Sequence, residues 1–208
     1  MSATLLLCSG GSALEFLETI PSNTFGEELT IGVLDERYSH DPLVNNFAQF
    51  MKTKFFAKAT VSGASCIDTR VREGETRDGL ASRFEEALRD WKRIHPNGRV
   101  VAILGIGVDG HTDGIMPMPD DPERFAKLFE DPARWVVGYD AEERSRFRDR
   151  VTVTLPFLRE QLDRTILFAK HEGKEEAMRA LEAVVGSVVA TPARVVREMR
   201  CVERHLLG

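Results

Sequence analysis

The chain is expected to be an α/β protein: a doubly wound, mostly parallel sheet with helices on both faces, a Rossmann-like three-layer arrangement. Three observations predict this. Short apolar runs without polar alternation recur at Thr4–Cys8, Leu29–Leu34, Val100–Leu104 and Thr165–Ala169, as in strands buried on both faces. Helical stretches separate them, and strands alternating with helices imply a parallel sheet. The runs also end in glycine, serine or charged residues, where ligands of open α/β sheets bind, just beyond the carboxyl ends of the strands.

Taken in order, Thr4–Cys8 is the first strand, Ser9-Gly10-Gly11-Ser12 the turn after it, and Ala13–Leu17 the start of a helix. Such a turn either aims backbone N–H groups at an anion or is a tight connection with Ser12 as helix cap. Leu29–Leu34 is the next strand, tipped by Asp35-Glu36-Arg37. Alternation places Asp35 and Arg37 on one face, and Glu36 is either solvated or part of a site. Asn45 and Asn46 open a helix expected to run through Phe56, with Phe47, Phe50, Met51 and Phe55 at core spacing. Thr60–Thr69 is irregular with room for a short strand. Gly74–Asp78 is a polar turn, with Asp78 as cap of an amphipathic helix carrying Leu80, Phe84, Leu88 and Trp91.

The second half begins with the central strand, Val100–Leu104, followed by Gly105, Gly107 and Asp109-Gly110-His111-Thr112. Asp120-Asp121-Pro122 starts a short helix, and Trp135-Val136-Val137 is a short strand. Asp140–Arg150 is highly charged and is expected to be a mobile loop. Val151–Leu155 is a strand, with Pro156 at the start of a helix. Thr165–Ala169 is followed by Lys170–Lys174 and a helix to about Val184. Thr191-Pro192-Ala193-Arg194 makes a final turn, and Cys201-Val202 a last strand.

Composition narrows the function. The 208 residues suit one domain spanning 1–208, 42% hydrophobic and carrying a net charge of −5, which does not suggest nucleic acid or an anionic membrane as partner. No run reaches the roughly 20 apolar residues of a membrane span. Three distant cysteines without a CxxC and no secretion signal point to a cytoplasmic setting, as a monomer or weak homodimer. No His/Cys cluster has ligand spacing, so neither metal nor cofactor is expected. Gly105, Gly107 and Gly110 do spell G-x-G-x-x-G. That fingerprint needs a helix at its last glycine, whereas Gly114, Pro117 and Pro119 follow, and Asp109 would oppose a pyrophosphate. The competing reading gives the loop to a substrate, with Asp109 and His111 acting on it.

Together SGGS, DER, LGIGVDGHT with Pro117 beyond it, RVTVTLPFL, Lys174 and TPAR resemble, in order and spacing, the 6-phosphogluconolactonases, whose superfamily also holds glucosamine-6-phosphate deaminase. The resemblance covers nearly the whole chain. The deaminase has a glutamate where this chain has Met116, and Arg37 suits the lactonase. The chain departs from the pattern at Asp113 and Gly114, at Ala13-Leu14, at His171, and in lacking a helical segment ahead of its first strand.

The resemblance implies hydrolysis of 6-phospho-D-glucono-1,5-lactone. His111 would be the base, with Asp109 orienting it or holding a hydroxyl, and Arg37 or the glycine-loop N–H groups stabilising the oxyanion. The phosphate would lie on Gly10, Gly11 and Ser12 against Lys174 and one of Arg150 or Arg146, with Arg194 a weaker candidate. Asp35, Asn45 and Gly107 would complete the substrate site. The alternatives are a deaminase-like enzyme and a sugar-phosphate-binding module without turnover.

Overall fold

The computed structural model describes residues 2–170 and 173–207; His171 lies outside them. The main sheet is six-stranded and parallel: β1 (Thr4–Cys8), β2 (Leu29–Val33), β4 (Ser65–Cys66), β5 (Arg99–Leu104), β8 (Arg164–Lys170) and β9 (Val202–Leu207), in the spatial order β4-β2-β1-β5-β8-β9. The chain runs outward from β1 to one side and then returns to β5 on the other. The crevice above β1 and β5 is therefore the switch point at which open α/β sheets take their ligands.

Although the strands read as continuous apolar runs, period-two alternation sorts their side chains between two cores. Leu5 and Leu7 face α4 (Arg77–Ile94), α5 (Pro122–Phe129) and α6 (Leu155–Gln161) through Phe84, Phe125 and Phe157. Leu6 and Cys8 face α1 (Ala13–Leu17), α2 (Asn46–Phe50) and α3 (Lys54–Val61) through Leu17, Phe47, Phe50 and Phe55. Helices on both faces are what the alternating pattern predicts.

A second sheet goes beyond that pattern. β3 (Asp35–Arg37), β6 (Val136–Asp140) and β7 (Asp149–Val153) form a separate antiparallel sheet in the order β3-β7-β6. Asp35, Glu36 and Arg37 pair with Thr152, Val151 and Arg150. The DER tip is thus a strand that leaves the main sheet, and Val151–Val153 of the VTVTL run belongs to the smaller sheet, while Thr154 caps the next helix and Leu155 opens it.

Three further expectations change. The helix over 45–56 is two helices, because Asn45 caps α2 by accepting from the Ala48 N–H at 2.8 Å and Thr53 caps α3 by accepting from Phe56 at 3.1 Å. Thr76, not Asp78, caps α4, accepting from the Gly79 N–H at 3.0 Å. The charged 140–150 segment closes the β6–β7 hairpin and is held by ion pairs: Arg148–Asp140 at 2.8 Å, Arg124–Glu142 at 2.6 Å and Arg144–Asp120 at 2.5 Å. These charges are paired, one within the segment and two with Arg124 and Asp120 outside it, which ties the hairpin to its neighbours. No helix among the described residues is long and apolar enough to cross a membrane.

Candidate active site

A cleft of about 190 Å³ opens above the carboxyl ends of β1 and β5. Its wall is assembled from six separate parts of the chain: Ser9–Ser12 after β1, Asp35 and Arg37 of β3, Asn46 of α2, the Gly105–Gly114 loop after β5, Arg150 of β7, and Lys174. Of the sequence-predicted residues, Gly10, Gly11, Ser12, Asp35, Arg37, Gly107, His111, Arg150 and Lys174 line it.

The loop after β5 holds its imidazole firmly. The Gly107 N–H donates to the His111 carbonyl at 2.8 Å, and the Gly110 N–H donates to the Gly107 carbonyl at 3.0 Å. A Cβ on Gly107 would lie 2.1 Å from His111 Cε1 and Nδ1, so only glycine lets the ring lie over the backbone there. Gly107 thereby serves the imidazole as well as the cleft wall. Asp109 lies beside the cleft rather than in its wall. Its Oδ1 accepts from the His111 N–H at 3.1 Å and meets Nδ1 at 2.5 Å. Assigning the Nδ1 proton to that contact leaves Nε2 as the free base. Burial pushes the Asp109 carboxyl up, but its contacts to His111 outweigh that and hold it below the usual carboxylate range.

The turn after β1 offers donors. Ser12 occupies the cap position of α1 without a capping hydrogen bond. Gly10, Gly11 and Ser12 have no backbone acceptor for their N–H groups among the described residues. Lys174 sits at the cap position of α7 (Glu175–Glu182) and reaches the same cleft. Burial, with Lys170 nearby, holds its ammonium below the ordinary lysine value.

The arginines divide three ways. Arg37 lines the cleft with its guanidinium 4.3 Å from the centre of the Phe147 ring. Arg146 lies 4.6 Å from the same ring and outside the cleft wall. Arg37 has no acidic partner within ion-pair distance among the described residues; burial and the neighbouring Arg150 lower its pKa. Arg150 is 5% exposed and pairs with Asp35. Arg194 is elsewhere: its guanidinium donates to the Ala180 and Ala183 carbonyls at 2.6 and 2.9 Å, closing the end of α7. A helix end with orphan carbonyls is a better partner for this buried cation than a distant cleft.

Asn45 is also displaced. It caps α2 and is turned away from the cleft, and its neighbour Asn46 lines the wall instead, donating from Nδ2 to the Asp35 carbonyl at 3.0 Å and to Asp35 Oδ2 at 3.1 Å. Glu36 is fully buried. Its carboxylate accepts from the N–H groups of Arg37 and Phe47, at 2.8 and 2.9 Å, from Asn46 N–H, and from the Thr69 hydroxyl at 2.9 Å. The residues that sequence reasoning passed over are Asn46 and Phe147; Ser9, read as part of an anion-binding turn, aims its hydroxyl inward at Asp113. Only the second asparagine of Asn45-Asn46 carried a signal, and it was one position out.

The family model for glucosamine-6-phosphate isomerases/6-phosphogluconolactonase matches residues 2–205. No curated protein matches in sequence. Among solved structures, a 6-phosphogluconolactonase from Shewanella baltica is 20% identical, with a TM-score of 0.76 over 100% of this chain and 84% of that one. The enzyme of that name from Thermotoga maritima is 18% identical, with a TM-score of 0.74 over 100% and 86%. One from Leishmania guyanensis is 20% identical, with a TM-score of 0.72 over 100% and 84%. At such identities the likeness speaks for the fold.

Proposed function

The chain belongs to the glucosamine-6-phosphate isomerase/6-phosphogluconolactonase family, and from that premise we propose that it hydrolyses 6-phospho-D-glucono-1,5-lactone to 6-phosphogluconate. The observation that carries the reading is one cleft shared by an Asp109-oriented imidazole, an arginine with no acidic partner among the described residues, and a donor-rich turn facing a lysine.

An ester needs an activated water, a place for the oxyanion and a fixed orientation. His111 Nε2 takes a proton from water as the oxygen attacks the lactone carbonyl. Asp109 holds the ring and stabilises the imidazolium. The negative charge that develops on the carbonyl oxygen falls to Arg37, which Phe147 keeps in place. When the tetrahedral intermediate collapses, the imidazolium returns the proton to the ring oxygen and the chain opens. At the other end, the phosphate takes the N–H groups of Gly10, Gly11 and Ser12 and the charge of Lys174. A lysine at the start of a helix is electrostatically out of place by itself; an anion in front of it removes the conflict.

Met116 favours the lactonase over the deaminase. It is 2% exposed and packed into the core, so no acid stands at that position. A coupled assay with fresh lactone, corrected for spontaneous opening, tests the reading. Activity above background is expected, and His111→Ala should lower kcat roughly 10²- to 10⁴-fold, the usual worth of a general base. Ammonia release from glucosamine 6-phosphate, or ligand-induced thermal stabilisation without product, would replace it.

A further inference from the structure

Asp113 stands on the floor of the cleft in a tight reversal. The Ile115 N–H donates to the Thr112 carbonyl at 2.7 Å, and Asp113 and Gly114 both have left-handed backbones, with φ of 49° and 76°. That pair of angles suits an Asp-Gly hairpin turn, which gives the two residues at 113 and 114 a common reason. The Thr152 hydroxyl donates to the Asp113 carbonyl, and the carboxyl itself is buried.

The protons around this carboxyl can be counted. Gly105 N–H donates to Ser9 Oγ at 2.9 Å, and the Ser9 hydroxyl donates to Asp113 Oδ1. On the other side, Thr112 Oγ1 lies 2.7 Å from the Gly105 carbonyl and 3.0 Å from Asp113 Oδ2. A threonine hydroxyl has one proton, and a carbonyl oxygen can only accept. If Thr112 donates to Gly105, the proton between Thr112 and Asp113 must come from the carboxyl. An ionised Asp113 would claim the Thr112 proton and leave the Gly105 carbonyl facing a lone pair. With the carboxyl protonated, the five groups close into one ring that starts and ends on Gly105, tying the β1 turn to the β5 loop.

We propose, on the reading of this cleft as a sugar-phosphate site, that Asp113 is a positioning residue that works as a neutral acid. It fixes the Ser9 hydroxyl, and through it the Gly10–Ser12 turn, and it keeps the floor uncharged beside an incoming dianion. The groups facing it agree. Asp35 lies across Gly114, already paired with Arg150; the Cys8 thiol of β1 is buried nearby. Of the cations in the wall, Arg150 is taken by Asp35, and Arg37, Lys174 and His111 make no hydrogen bond or ion pair to the Asp113 carboxyl. Burial, aided by Asp35, pushes Asp113 up to about 8.

The test uses the full chain with isotope-labelled aspartate, read by infrared spectroscopy and by calorimetry with 6-phosphogluconate. A label-shifted protonated-carboxyl band is expected at neutral pH, absent in Asp113→Asn. The substituted amide keeps both bonds, accepting from Ser9 and donating to Thr112. Its Kd should match the unsubstituted protein's at neutral pH, while only the unsubstituted protein weakens further, by roughly tenfold, as Asp113 loses its proton. Lys174 titrates in both proteins and cancels. No labelled band at neutral pH, or equal pH dependence in the two proteins, overturns the proposal. Should Asp113→Asn not fold, the band in the unsubstituted chain decides, since Asp35, the other buried aspartate, is paired with Arg150. A chain with the band but no affinity for 6-phosphogluconate overturns the reading of the cleft and the positioning role with it. A chain that hydrolyses the lactone without the band overturns the proton on Asp113 alone.

Discussion

Glu36 and Asp113 are both buried carboxyls, Asp113 in the cleft wall and Glu36 behind it, and burial pushes each up to about 8. Their surroundings differ. Glu36 meets three backbone N–H groups and a hydroxyl that all donate to it. Asp113 meets one hydroxyl that donates and one whose only proton is already engaged. A proton on Glu36 would displace the Thr69 hydroxyl proton from the one acceptor it has; a proton on Asp113 meets a Thr112 oxygen whose own proton is engaged by the Gly105 carbonyl. Depth alone therefore does not say what a buried acid does. The count of donors around it does, and here one carboxyl organises backbone while the other links two ligand loops.

The sharpest way to break this contrast is to give each residue its amide. Glu36→Gln turns an –NH2 toward donors and strips at least one backbone N–H of its partner. A loss of about 3 kcal/mol is expected, or a Tm lower by roughly 6–12 °C in a chain of this size. A Glu36→Gln protein as stable as the original would erase the distinction.

Asp113→Asn should behave oppositely, and pH reveals it. The folded chain keeps the Asp113 proton until about 8, whereas the unfolded chain releases it near the ordinary value of 3.8. Between those values the unfolded state binds fewer protons, so this group costs stability as pH rises and costs no more above about 8. The Tm of Asp113→Asn minus that of the unsubstituted protein should therefore widen steadily from about pH 4 to about pH 8 and then level off. Glu36 titrates in both proteins and does not affect the difference. A gap that shrinks with pH would place the carboxylate, not the acid, in the fold.

Ser9→Ala is the mildest probe. It removes one link of the Gly105 ring and leaves the Gly105 N–H without its acceptor, for about 1 kcal/mol, or roughly 2–4 °C in Tm. The KM for the phosphorylated lactone should rise while kcat holds. A kcat loss with unchanged KM would move Ser9 from the phosphate end to the reacting end.

Much of the molecule could be read from residue order. Four of the six strands of the main sheet (β1, β2, β5 and β8), the glycine turns after β1 and β5, and the placement of His111 at a strand end all follow from contiguous residues whose chemistry is local. What could not be read were relations between distant segments. Whether Asn45 or Asn46 faces the cleft depends on the phase of a helix whose start is set by Asn45's own cap. Whether Arg194 meets an anion or a row of carbonyls depends on where α7 ends. The DER tip reads as three charges at a strand end until β7 pairs with it and buries Glu36.

Sequence patterning fixes which segments become strands and helices, because hydrophobic period, β-branching and glycine act within a few residues of one another. The antiparallel sheet, the partners of each buried charge and the protonation of Asp113 wait on the fold. They arise where chain segments dozens of residues apart bring donors, acceptors and charges within 3 Å, in a setting too dry for water to replace a missing partner.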